Sequence, residues 1–325
     1  MGGVFIFTVL VTHNIPGDGL EELKLKCRVI TPPEGQLSFD RAEILARMPE
    51  ADAVLACAAI DAQMIAAAPR LKIISNYGAG YDRIDTQAAA ARGIPVTNIP
   101  DDTMQATAEL ALALLMSLSR RVTELDRALR AGEQGLFTMG ARMGHTLNGK
   151  LLGIIGMGHI GGALANMCRA LGMDVAYYNR HRLPGEREQG CRYMELDELI
   201  AASDVISINC PLTDSTRGLM DARRIALMKP QAMLINTSRG GVVDTAALIE
   251  ALRQKRIAGA GLDVFPQEPD VPAELLELDN VVLTPHVGTN TVETRAQMAS
   301  ACAQRIMEAL DGRTPRNVVN GVVLG

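Results

Sequence analysis

Three polar residues late in the chain have the types and placement to hold an acid and move a proton. Arg239 stands in Asn236-Thr237-Ser238-Arg239-Gly240-Gly241, Glu268 in Asp263-Val264-Phe265-Pro266-Gln267-Glu268-Pro269, and His286 in Thr284-Pro285-His286-Val287-Gly288. Each segment follows a short apolar run that reads as a β-strand. Each polar group therefore lies just past the carboxyl end of a strand, where open α/β sheets bind ligands. A planar guanidinium makes a bidentate fork for a carboxylate. Histidine titrates near neutral pH and can give and take a proton. A neighbouring carboxylate favours the imidazolium and orients the ring. Singly, these residues also read as an ion pair, a solvated acid and a capped histidine; together, at successive strand ends, they point to chemistry.

A second constellation binds phosphate. Gly156-Met157-Gly158-His159-Ile160-Gly161 is a G-x-G-x-x-G run between the strand-like 151–155 and a helical stretch that continues over 163–171. In that context Gly156 makes the tight turn, Gly158 lets the backbone approach a pyrophosphate, and Gly161 lets helix and strand pack closely. Free N–H groups at the helix start then bind the anion. Enzymes that use NAD carry Asp or Glu about 20 residues further on, for the ribose 2′-OH. Here Tyr177-Tyr178-Asn179-Arg180-His181-Arg182 occupies that place, without a carboxylate. Two arginines follow Asn179 and suit a 2′-phosphate. NADP(H) is the expected cofactor, with NAD(H) as the alternative.

The elements that position these residues alternate in the manner of βαβ units, which make parallel sheets. Strands are predicted over 4–11, 53–56, 73–76 and 95–97, with helices such as 41–47 and 62–68 between or beside them. A single long helix is predicted from Thr103 to about Ala131, capped by Asp101 or Asp102. The Gly- and Met-rich segment 132–144 breaks it. Six further strands follow at 151–155, 175–178, 205–208, 233–236, 259–263 and 281–284, the number a Rossmann sheet needs. The chain ends helical over 292–310. At 325 residues two domains are expected.

Composition removes other classes. The chain is 48% hydrophobic and 21% charged, with a net charge of −5. That argues against a broad basic face for nucleic acid. The longest apolar stretches are too short to span a bilayer, and no signal peptide is visible at the start. The six cysteines form no C-x-x-C pair and no metal spacing with histidine. No metal site is expected, and reduced thiols in the cytoplasm are.

With these motifs in this order, the sequence resembles the D-isomer-specific 2-hydroxyacid dehydrogenase family over nearly its whole length, from Gly78-Ala79-Gly80-Tyr81-Asp82 to Thr291-Val292-Glu293-Thr294-Arg295. Asn179-Arg180-His181-Arg182-Leu183-Pro184, and Glu268-Pro269 followed by Val271-Pro272, favour its glyoxylate and hydroxypyruvate reductase branch. The resemblance implies two doubly wound α/β domains. One is a Rossmann cofactor domain over 102–292; the other is a flavodoxin-like substrate domain, discontinuous, over 1–101 and 293–325. It implies reduction of a small 2-oxo acid to the D-2-hydroxy acid by hydride transfer. Arg239 would hold the carboxylate and polarise the carbonyl, His286 would protonate the carbonyl oxygen, and Glu268 would be its partner.

The amides of Gly78, Ala79 and Gly80, beside Tyr77, match a loop that binds the substrate carboxylate; an amide nest holds anions. Asp263 matches a contact to the nicotinamide carboxamide, or else closes its own loop. The resemblance also implies cofactor contacts from Thr103, Cys210, Pro211, Thr216, Thr237, Ser238, Arg239, His286 and Gly288, in addition to the glycine run and Asn179, Arg180 and His181. A homodimer supported by the long helix is implied, with Phe137 where relatives often carry Trp.

Other readings share parts of this pattern. A 2-ketogluconate reductase, or another D-2-hydroxyacid enzyme, would differ only in pocket size. A phosphite dehydrogenase shares the triad. A formate dehydrogenase would carry glutamine in place of Glu268. A cofactor-sensing co-repressor keeps the triad but needs tails and a peptide groove, and little of this chain is left for a tail. A methyltransferase has no use for the Arg, Glu and His.

Overall fold

The computed structural model describes residues 6–325. The chain divides into two compact units, one comprising residues 1–103 and 289–325, the other 104–288.

The first unit carries five strands: β1 (Thr8–Val11), β2 (Arg28–Ile30), β3 (Ala53–Ala56), β4 (Ile73–Asn76) and β5 (Val96–Thr97). All pair in parallel, in the order β2-β1-β3-β4-β5. That is the doubly wound order of a flavodoxin-like sheet. β1, β3 and β4 are buried along their whole length, as expected of parallel strands covered on both faces. Two cores result, one per face. One packs Leu10, Val54 and Ile74 against Met48, Met64 and Ile65. The other packs Val9, Leu55 and Ile73 against Met298, Cys302 and Ile306 of the last helix, Val292–Leu310.

The second unit carries β6 (Leu151–Ile155), β7 (Asp174–Tyr178), β8 (Arg192–Tyr193), β9 (Val205–Ile208), β10 (Met233–Asn236), β11 (Gly259–Leu262) and β12 (Val281–Leu283). Again every pairing is parallel, in the order β12-β11-β10-β9-β6-β7-β8. The chain order reverses between β6 and β9, the switch point at which such sheets bind dinucleotides.

Four points of the sequence reading need correction. The strand expected over 4–11 begins at Thr8; Val4 and Phe5 lie outside the described residues, and Ile6 is 80% exposed. β2 and β8 were not anticipated, because three- and two-residue edge strands leave no periodicity to read. The long helix is two helices, Pro100–Ser119 and Val122–Arg130, broken where Arg121 adopts φ 56°. The break is held from outside. His145 donates its backbone N–H to the Ser119 carbonyl at 2.8 Å, and a Cβ on Gly144 would lie 2.4 Å from that oxygen. Asp101 and Asp102 do not cap the helix. Pro100 opens it and the two acids sit in its first turn, where they complement the helix dipole. Among the described residues no helix is long and apolar enough to cross a membrane.

Candidate active site

In the seven-stranded unit, the glycine run turns sharply between β6 and the helix His159–Ala170. Gly156 has φ +97°, and a Cβ there would meet the backbone of Asn209 and Cys210 at under 3.0 Å. A Cβ on Gly161 would lie 2.5 Å from the Gly156 carbonyl oxygen. Both positions require glycine for close approach. Gly158 is different: a Cβ there would meet nothing within 4 Å, and as N-cap residue it brings no side chain to the helix start. The first-turn N–H groups, which have no intrahelical acceptors, keep open space in front of them.

The β7 tip is built by Asn179, whose Oδ1 accepts the Met157 N–H at 2.7 Å. Asn179 thus braces the glycine turn. Arg182 is engaged: its Nε donates to Glu188 at 2.7 Å, and Glu188 also accepts the hydroxyl of the buried Tyr177 at 2.8 Å. Arg180 and His181 are exposed, and Arg180 has no hydrogen-bond or ion-pair partner among the described residues.

After β9, Thr216 closes its loop by donating to the Pro211 carbonyl at 2.6 Å and accepting the Thr213 N–H at 2.8 Å. Burial pushes the Cys210 thiol up to about 11. The side-chain oxygens of Asn209 and Thr237, at the carboxyl ends of β9 and β10, are buried without a hydrogen-bond partner. Buried polar atoms are rarely left so. The open Gly158 cradle and these orphaned atoms fit a polar dinucleotide laid across the switch point.

Asn236 organises the next loop. Its Nδ2 donates to the Arg239 carbonyl at 3.0 Å, and its Oδ1 accepts from the Ser238 N–H and hydroxyl. A Cβ on Gly240 would lie 2.1 Å from the Phe265 carbonyl carbon, so the Arg239 loop packs directly on the Phe265–Pro266 backbone. Arg239 is half-buried and donates Nη1 to the Ser238 carbonyl.

Asp263 does the same for the histidine loop. Its carboxylate accepts from the Thr284 hydroxyl at 2.7 Å, the Val287 N–H at 2.8 Å and the Gly288 N–H at 3.0 Å. Burial pushes this carboxyl upward, opposed by those donors. Of the two readings of Asp263, loop closure is what these contacts describe, and Gly288 is one of its donors. His286 is held at φ 53° with its N–H on the Asp263 carbonyl at 2.8 Å. Its Nδ1 meets Glu268 Oε2 at 2.7 Å, while Glu268 Oε1 accepts the Phe265 N–H at 3.1 Å. The imidazole is thus held at Nδ1 by a fixed carboxylate and remains part-exposed. Glu268 and His286, eighteen residues apart in sequence, are one unit in space.

The five-stranded unit carries the loop after β4. Asn76 Nδ2 donates to the carbonyls of Gly78 and Gly80, and Asn98 Nδ2 to that of Ala79. With the carbonyls tied back, the amides of Ala79 and Gly80 have no acceptor among the described residues; the Gly78 amide is spent on the Asn76 carbonyl. Two amides, not three, can therefore form the cradle. Tyr77 donates its hydroxyl to the Arg295 carbonyl at 2.8 Å. Thr103 lies in the first turn of the helix Pro100–Ser119, its hydroxyl donating to the Pro100 carbonyl.

Sequence reading missed Asn76, Asn98, Asn209 and Asn236. Their signal was present: Asn at or just beyond a strand end is an Asx-turn former.

A family model described as D-isomer specific 2-hydroxyacid dehydrogenase, NAD binding domain, matches residues 112–288. The glyoxylate reductase of Thermococcus litoralis is 43% identical over 329 residues, spanning 97% of each chain. The solved NADPH-dependent glyoxylate/hydroxypyruvate reductase of Sinorhizobium meliloti, in complex with NADP and malonate, is 33% identical with a TM-score of 0.88 over 98% of each chain. A glyoxylate reductase from Paecilomyes thermophila is 34% identical with a TM-score of 0.87, over 96% of this chain and 98% of that one. By its sequence relatives and its two parallel α/β sheets alike, this NAD(P)-dependent oxidoreductase belongs to the D-isomer specific 2-hydroxyacid dehydrogenase family.

Proposed function

We propose that this enzyme reduces glyoxylate or hydroxypyruvate to the 2-hydroxy acid, glycolate or D-glycerate, with NADPH as the preferred reductant. The observation that carries the reading is the His286 Nδ1–Glu268 Oε2 contact of 2.7 Å, set on a strand-end loop next to that of Arg239. Nicotinamide, when bound, supplies the hydride for the carbonyl carbon. This chain's residues do the rest. Within the five-stranded unit, the two free amides of Ala79 and Gly80 suit an anion. Arg239 grips the carboxylate and draws charge onto the carbonyl oxygen. His286, protonated and oriented by Glu268, delivers a proton from Nε2 to that oxygen. In the reverse direction the neutral ring takes the proton back. The five-stranded unit (1–103 and 289–325) then serves as the substrate unit, and 104–288 as the cofactor unit.

NADPH preference rests on three features of the β7 tip. Asn179 carries no charge to repel a 2′-phosphate, and its oxygen is already committed to Met157. Arg182 is committed to Glu188. Arg180 is exposed and uncommitted, so it is the residue that meets the phosphate. A charged hydrogen bond contributes about 1.5–3 kcal/mol, so kcat/KM should favour NADPH over NADH by about 10- to 100-fold. Assays of glyoxylate, hydroxypyruvate, pyruvate, 2-ketogluconate and phosphite with both cofactors test the reaction. Arg180→Ala tests the preference: it should weaken NADPH far more than NADH, and an equal loss for both would remove Arg180 from the phosphate site.

The working form is a homodimer, on the evidence of exposed apolar side chains on the segment after the second helix: Phe137 at 95% and Met139 at 99% exposure. Its six free thiols suit a reducing cytoplasm.

A further inference from the structure

The Gly78-Ala79-Gly80 loop has almost no side chain to pack, so hydrogen bonds must set its backbone. A trans peptide places the carbonyl of one residue and the N–H of the next on opposite sides. Holding a carbonyl inward therefore turns the following N–H outward. The Gly78 carbonyl is held twice, by Asn76 Nδ2 at 2.8 Å and by the Ile99 N–H at 3.1 Å. The peptide that presents the Ala79 amide is thus doubly fixed. The Ala79 carbonyl is held once, by Asn98 Nδ2 at 2.7 Å. Among the described residues nothing else binds it, so the outward turn of the Gly80 amide depends on Asn98.

Asn98 is buried and directly follows β5, a strand of two residues. On one side β5 pairs with β4 at Val96 and Thr97 alone. Its other edge is covered by residues 317–320, which run antiparallel to it. Thr97 bridges Val318, the Val319 N–H donates to the Val96 carbonyl at 2.8 Å, and the Asn98 N–H donates to the Asn317 carbonyl at 3.3 Å. Asn320 continues the pairing with its side chain. Its Oδ1 accepts the Val96 N–H at 3.1 Å, and its Nδ2 donates to the Ile94 carbonyl at 2.8 Å. Val319 packs on the core that contains Ile94 and Val96. An open sheet edge is thereby closed, and the closing segment fixes the residue that holds the loop.

We propose that Asn98 is a positioning residue for substrate binding, holding the Gly80 amide outward for a carboxylate, and that residues 317–320 are the strap that keeps Asn98 in place. The inference rests on the reaction proposed above, in which the five-stranded unit takes the substrate. Asn98 acts through the peptide, whose N–H meets the carboxylate. Without its donor the Ala79–Gly80 peptide is free to rotate, and a carbonyl turned outward repels an anion. The loss is one of binding, so it appears in KM rather than in kcat.

The test measures KM and kcat for glyoxylate at saturating NADPH in the wild type, Asn98→Ala, Asn320→Ala and the double variant. Asn98→Ala should raise KM about 10- to 100-fold, the size of a lost hydrogen bond to a charged group, with kcat kept within about threefold. Asn320→Ala should raise KM by less, again with kcat kept. In the double variant Asn320→Ala should add nothing further to KM, because the contact it supports is already gone. Wild-type KM in a folded Asn98→Ala overturns the positioning role, as does a fall in kcat alone. Additive losses, or an unmoved KM in Asn320→Ala, overturn the strap. Thermal melting shows which variants are folded; if Asn98→Ala is not, Asn320→Ala, which touches no part of the loop, decides by its KM. Calorimetric titration with oxalate repeats the comparison without turnover. If no 2-oxo acid is reduced at all, the proposed reaction fails; oxalate binding then still decides the role of Asn98, supported if Asn98→Ala weakens it and overturned if it does not.

Discussion

A histidine is a proton donor only if something holds its ring, and in the proposed mechanism that task falls to Glu268. One carboxylate oxygen is pinned by the Phe265 N–H and the other faces His286 Nδ1. His286→Ala should therefore lose the roughly 10²–10⁴-fold typical of general acid–base catalysis. A folded variant with near-normal reduction would mean that another group donates the proton. Reduction consumes a proton and oxidation releases one, so wild-type reduction should weaken and oxidation strengthen as pH rises. Glu268→Gln keeps an acceptor for Phe265 but removes the charge facing the ring. Its kcat for reduction should fall while cofactor affinity stays unchanged; a wild-type kcat would deny Glu268 a part in holding the ring. These candidates stood out in the sequence because Arg, Glu and His are uncommon together at successive strand ends. The bonds of Asp263 to its own loop were not, since a carboxylate at a strand end reads equally as ligand contact or loop closure.

At the scale of elements, the carboxyl ends of the strands share a device. Asn76 ends β4, Asn179 follows β7, Asn209 follows β9, Asn236 ends β10 and Asp263 follows β11, and four of them bind the backbone of the loop that comes next or lies beside it. Asn236→Ala removes three hydrogen bonds around Arg239, each worth about 1 kcal/mol net. It should lower kcat/KM by roughly 10- to 100-fold while reducing thermal stability, and Asn236→Asp, which keeps the acceptor for Ser238, should recover part of the loss. Wild-type kcat/KM in a destabilised Asn236→Ala would make the residue structural alone. The central strands were legible because buried parallel strands are continuous apolar runs bounded by turn residues. Edge strands β2 and β8 were too short to carry a pattern, and the break at Arg121 depends on His145 and Gly144, which return to Ser119 from more than twenty residues away. No local propensity encodes that return.

At the scale of the molecule, each unit has its own cores, and the last helix completes the one in which the chain began. This makes the five-stranded unit sensitive to acid at one place. Burial lowers the His13 imidazole below its ordinary 6.5; the Thr12 hydrogen bond opposes this and the Arg83 charge adds to it. Between the folded and unfolded values, the unfolded chain binds a proton that the folded one refuses, so stability falls as pH drops through about 6.5 and levels off below the folded value. Denaturation midpoints on either side of that pH should show a shallower acid limb in His13→Gln; an identical limb would place the acid sensitivity elsewhere. The seven-stranded unit poses a different problem. Arg142 binds Glu133 at 2.7 Å and approaches the buried Glu124 at 3.3 Å, fixing an arm that presents Phe137 and Met139 almost fully to solvent and Met143 at 74%. Nearby, the helices Pro100–Ser119 and Val122–Arg130 form a groove lined by Ala113, Met116, Val122 and Leu125. In the proposed homodimer, this arm with its bare aromatic would fill the apolar groove of the other copy by two-fold exchange. Phe137→Glu with Met139→Glu should halve the mass seen by analytical ultracentrifugation at micromolar protein while leaving circular dichroism unchanged, because neither side chain belongs to a core. A double variant that sediments as the wild type does would show that the arm is not the dimer contact.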